Sequence, residues 1–123
     1  MDDLTAVGDY FARRGALWTS SEGSVAAHLR RLGRNGLVAE FRSDPDFDAV
    51  SRYLHRMVDV QYVHDAAFSD FKTKVQESIL GPSRIGRGAQ RQVTIVIRAA
   101  LLACGVSPFG ERLERIAGAL PRG

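Results

Sequence analysis

Apolar residues recur along this chain at intervals of three and four, the period of a helix, and the alternation expected of strands is weak. Leu4, Val7 and Phe11 share one face of a first helix that Asp2 or Asp3 can cap and Gly15 is expected to end. Thr19-Ser20-Ser21-Glu22 has the spacing of a capping box, in which a hydroxyl and a carboxylate satisfy free backbone N–H groups reciprocally. A second helix then turns Val25, Leu29 and Leu32 inward and gathers Ala27, Arg30, Arg31 and Arg34 on its other face. Asn35-Gly36 is expected to stop it, since both residues tolerate positive φ. Leu37-Val38-Ala39-Glu40-Phe41 fits either a short strand or a continuing apolar turn.

Ser43-Asp44-Pro45 is a helix start, with Pro45 at the first helical position, where its missing N–H costs nothing. Phe47, Val50, Leu54, Met57 and Val58 then follow the helical period closely, and the helix can run on through Tyr62. Phe68, Phe71, Val75 and Ile79 repeat the pattern until Gly81-Pro82 breaks it, and the pattern leaves open whether these are two helices or one. Gly81–Gln90 is glycine-rich and reads as a loop. Val93, Val96, Ile97, Ala100, Leu101 and Cys104 form a broad apolar stripe. Val93–Ile97 alone is β-branched enough for a strand, but Arg98–Ala103 continues at helix-forming composition, so one helix is predicted, capped by Gly105. Ser107-Pro108 opens a last helix with Phe109, Leu113, Ile116 and Leu120, ended by Pro121. The expectation is an all-α fold: a compact bundle of five to six helices in a single domain spanning 1–123.

The 123 residues, 45% hydrophobic and 25% charged, match an ordinary globule and exclude a disordered chain. No apolar run approaches the roughly 20 residues that span a bilayer. No signal peptide is visible, and the single cysteine, Cys104, excludes an internal disulfide, so the expected compartment is the cytoplasm, with no membrane partner.

Seventeen basic residues against fourteen acidic ones give +3, but the distribution is uneven. Residues 1–64 hold eight Arg against nine Asp or Glu, whereas residues 65–123 hold nine basic residues against five acidic. Ser78–Gly110 carries Arg84, Arg87, Arg91 and Arg98 and no acid. Such a stretch predicts a face that attracts polyanions, and arginine suits bidentate phosphate contact. A genome rich in G and C also raises arginine content, without any such function.

Catalytic and metal chemistry find little support. His28, His55 and His64 lack the four-residue spacing that would set two imidazoles on one helical face, so no metal site is expected. Asp44, Asp46 and Asp48 alternate as in a calcium loop, but Ala49 and His55 stand where glycine and glutamate are needed, leaving helix-start carboxylates as the better reading. In Gly81-Pro-Ser-Arg-Ile-Gly86-Arg87-Gly88 the lysine and hydroxyl of a phosphate-binding P-loop are missing. Its glycines and arginines still suit contact with a phosphodiester backbone, although a solvated connector has the same composition. Tyr10, Trp18, Tyr53 and Tyr62 could stack on bases, but aromatics at helical spacing are more often core. Cys104 reads as a small buried hydrophobe. No catalytic residue and no cofactor is expected.

Two resemblances give these features a direction. Ser21–Val38 resembles the recognition helix and the approach to the wing in winged-helix repressors, which implies that Ser24, His28 and Arg31 face a DNA major groove. The chain as a whole, in size, helicity and the placement of Arg84, Arg87, Arg91 and Arg98 with Arg30, Arg31 and Arg34, resembles the small helical subunit of multi-subunit CRISPR effector complexes. That resemblance implies a non-catalytic ribonucleoprotein subunit in antiviral defence. It would contact RNA or single-stranded DNA and assemble with other protein subunits and copies of itself. A third expectation is a protein–protein adaptor without nucleic acid, suited by Leu37, Val38 and Phe41 if these are exposed.

Overall fold

The computed structural model describes residues 3–58, 65–80 and 87–105. The fold is an all-α bundle, built from α1 (Asp3–Glu22), α2 (Val25–Ser43), a 3-10 turn (Pro45–Phe47), α3 (Asp48–Val58), α4 (Asp65–Leu80) and α5 (Arg87–Ala103). Helix α1 packs against α2, α3 and α4, and α5 closes the bundle against the same three helices. The expected helix beyond Ser107, the Tyr62 region, Arg84 and most of the glycine-rich segment lie outside the described residues.

Helix α1 does not end at Gly15. That glycine is buried where α1 crosses α4, and a Cβ there would stand 3.5 Å from the Ile79 Cα, so the missing side chain serves close packing. The helix continues through Thr19–Glu22, the stretch expected to open the next one. Gly23, at φ +89°, ends it, and its N–H donates to the Thr19 carbonyl at 2.8 Å. The cap of α2 is Ser24, whose Oγ accepts the Ala27 N–H at 3.1 Å.

Helix α2 is two helical arms joined at Gly33, whose φ of 67° and ψ of 178° lie in a region open almost only to glycine. A side chain at that position would cost on the order of 1–3 kcal/mol. The expected stop at Asn35-Gly36 therefore falls inside the second arm. Along a straight helix, residues 28 and 40 would be about 18 Å apart. Here the His28 Nε2 lies 2.8 Å from a Glu40 oxygen, because the break folds one arm back towards the other. The second arm is helical through Leu37, Val38 and Phe41, and all three are buried. This corrects both the strand option and the adaptor's exposed apolar surface. Among the described residues the exposed large apolar side chains are Leu17 and Leu102, on separate helices.

The remaining boundaries follow local chemistry. Asp44 caps the 3-10 turn by accepting the Asp46 N–H at 3.0 Å, with Pro45 at the first position. Helix α5 starts at Arg87, so Gly88, Ala89 and Gln90 are helical, not loop. The core collects the apolar faces expected of each helix: Val7, Phe11, Phe41, Val50, Leu54, Phe71, Val75, Val96 and Ile97 are all buried. Phe11 stands edge-on to Phe41 and to Phe71 at centroid distances of 6.1 and 6.3 Å.

Candidate nucleic-acid interface

The arginines divide by environment. On α1 and α3 most are neutralised: Arg14 pairs with Asp44, Arg52 with Asp48 at 3.1 Å, and Arg56 with Asp3. On α2 the stretch Val25–Ala39 holds no acidic residue, and α5 holds none at all. Arg30, Arg34 and Arg91 are exposed, and no carboxylate among the described residues pairs with them. Because α2 and α5 pack on each other, the two basic stretches belong to neighbouring helices.

The other expected contacts fare differently. Arg31 is exposed but bound: its Nε and Nη2 donate to Glu22 Oε1 at 2.6 and 2.5 Å. This hydrogen bond and the paired charge raise the Arg31 pKa, while Arg31 is the leading cause that lowers the pKa of Glu22. Arg98 is half-buried between Ile97 and Ala99, with its Nε shut off from solvent, so it does not present a whole guanidinium outward. Arg87 begins α5, its side chain lying outside the described residues together with Arg84.

Beneath the first arm of α2 lies a polar seam that sequence reasoning did not anticipate. His28 is buried, stacked on the Trp18 indole at 4.8 Å. Its Nδ1 is 3.1 Å from Glu22 Oε1 and its Nε2 is 2.8 Å from Glu40 Oε1. Trp18 Nε1 donates to the other Glu40 oxygen at 2.7 Å. Asp44 accepts from the Tyr10 hydroxyl at 3.0 Å and from Arg14. Burial alone would raise the Asp44 pKa, but hydrogen bonds from the Asp46 N–H, Tyr10 and Arg14, with the charge of Arg14, outweigh it and lower the value. Tyr10 moves up, chiefly through burial and then through its bond to Asp44. The signal for this seam was present: Tyr10, Arg14 and Trp18 are spaced by four and share one helical face.

These positions correct the winged-helix expectation. Ser24 is a cap, His28 is buried, Arg31 is bound to Glu22, and Asn35–Val38 is helical where the approach to a wing was expected. Tyr10 and Trp18 belong to the core, and Tyr53 stacks on Phe71 at 5.9 Å. Cys104 is pushed up to about 12 by burial, against a smaller opposing hydrogen bond with Ser51, which leaves it a poor nucleophile. Among the described residues no group of three or more His, Cys, Asp or Glu could hold a metal ion, and no helix is long and apolar enough to cross a membrane.

The arrangement is a helical bundle with exposed arginines on two helices, α2 and α5, that pack on each other. Comparison with protein-family models, curated proteins and solved structures finds no match to the chain.

Proposed function

We propose that this protein is a non-catalytic helical subunit of a ribonucleoprotein complex, comparable to the small helical subunit of CRISPR-type effectors. It would lie against RNA or a single-stranded target through arginines on α2 and α5. One observation carries the reading: Arg30 and Arg34, in an acid-free stretch of α2, and Arg91, on an acid-free α5, are exposed on helices that pack together. Arginines arranged in this way bind a phosphate chain with little regard to base sequence. Each contact is weak alone, so useful affinity comes from other subunits, including copies of this chain, aligned along the same strand. The compartment consistent with this role is the cytoplasm.

The test is the binding of a fluorescent oligouridine across a salt series, using Arg30→Glu, Arg34→Glu and Arg91→Glu combined. The triple variant should bind more weakly and flatten the salt dependence by about 2 in slope, since each single-strand phosphate contact contributes roughly 0.7. Unchanged binding by a variant that keeps its helical circular dichroism would overturn the reading.

A further inference from the structure

We infer that Glu22 acts as a built-in substitute for phosphate, holding Arg31 back from the nucleic-acid surface until a real phosphate displaces it; the inference rests on the function proposed above. Arg31 lies between Arg30 and Arg34 in sequence, yet it alone of the three is bound to a carboxylate. Both donors of its fork reach a single oxygen, Glu22 Oε1.

The two partners are held very differently. The Arg31 side chain is 60% exposed, so an incoming phosphate can reach the guanidinium without disturbing the bundle. The Glu22 side chain is only 16% exposed and sits in the last turn of α1. The same oxygen that binds Arg31 also faces His28 Nδ1, and His28 is fixed in turn by Trp18 and Glu40. The carboxylate is therefore part of the frame, and the arginine is the part able to leave. When Arg31 moves to a phosphate, Glu22 keeps His28 as its partner.

A solvent-exposed ion pair is weak and screened by salt, so phosphates crowded against this surface by an assembled complex displace Glu22, whereas a free strand meeting the isolated chain binds through the open Arg30 and Arg34. The consequence is a graded surface. Arg30 and Arg34 are open to any polyanion, whereas Arg31 joins only where phosphate is held against the surface at high local concentration, as in an assembled complex. The pair thus suppresses binding by the isolated chain.

Four proteins test this with the oligouridine salt series: Glu22→Gln, Arg31→Gln, the double variant carrying both, and Arg30→Gln with Arg34→Gln as the reference. Glu22→Gln keeps a carbonyl oxygen for its neighbours while removing the charge. It should steepen the salt dependence by about 0.7 and raise affinity about fivefold at 0.1 M salt. Arg31→Gln alone should leave binding almost unchanged, because that arginine is already occupied. In the Glu22→Gln background, Arg31→Gln should abolish the whole gain. If Arg31→Gln weakens the otherwise unaltered protein as much as it weakens Glu22→Gln, the latch is overturned. If Glu22→Gln folds poorly, the reference serves instead: Arg31→Gln weakening binding by as much as half the loss of the Arg30→Gln, Arg34→Gln protein overturns the latch equally. If the Arg30→Gln, Arg34→Gln reference leaves the salt dependence unchanged, the nucleic-acid reading itself fails, and the latch with it.

Discussion

On one side of α1, Phe11 and Gly15 meet Phe71 and Ile79 of α4; on another, Tyr10, Arg14 and Trp18 meet Asp44, Glu40 and His28. The first seam is apolar, and close approach at Gly15 lets helix backbone lie near helix backbone. Its attraction scales with buried area and has little directional demand. The second seam is wired group to group: the Tyr10 hydroxyl and Arg14 donate to Asp44, and Trp18 Nε1 donates to Glu40, which also faces His28. Such wiring adds less net free energy than the same area of hydrocarbon, but it penalises any shift of α1 against the kinked α2, since a displaced donor would be buried without a partner. One helix thus obtains cohesion from one face and register from another.

The largest expected effect tests the apolar side. Phe71→Ala should lose about 3–5 kcal/mol of unfolding free energy by urea titration, because a fully buried ring touching Phe11, Tyr53 and Phe68 is replaced by a cavity. A loss no larger than that of a polar-seam variant would erase the contrast between the two seams. Next comes Glu40→Ala, expected to cost about 1–3 kcal/mol by leaving Trp18 Nε1 and His28 Nε2 without their acceptor. Glu40→Gln should recover part of that loss, since it keeps one carbonyl oxygen. Equal losses for the two substitutions would mean that charge, not hydrogen bonding, holds the seam.

The smallest effect is read in acid. The folded-state pKa of Asp44 is lowered, so its contribution is fully present above the ordinary carboxylate value. It is lost progressively as pH falls from there through the depressed folded value. Asp44→Asn should therefore cost stability near neutral pH and show a shallower decline on acidification than the unaltered protein. Parallel decline of the two proteins below pH of about 4 would remove Asp44 from the account.

Much of the bundle is legible locally. Phe47 at the end of the 3-10 turn, Val50 and Leu54 on α3, and Phe68, Phe71 and Val75 on α4 are buried as their spacing requires, because a helix brings every third or fourth residue to one side. Pro45 likewise starts its turn where a missing N–H is harmless. The misassignments cluster where local rules admit two outcomes. Gly15 resembles a helix end but fills a crossing with Ile79, a residue remote in sequence. Thr19–Glu22 has the letters of a capping box, yet Gly23 and Ser24 supply the real boundary. Gly33 and Gly36 are both permissive, and the chain breaks at Gly33 in a conformation open almost only to glycine.

The amino-acid order alone determined the helical class, the inward face of nearly every described helix, and the two acid-free stretches that carry arginine. Those properties depend on spacing within a few residues, which any helix converts directly into geometry. Folding decided which arginines are available. Arg30, Arg31 and Arg34 look equivalent on paper, and only the tight turn at Gly23 brings Glu22 within reach of Arg31 while Arg30 and Arg34 stay open. Charge pairing acts through space and falls away over a few ångströms, so it is settled by how helices are placed against one another.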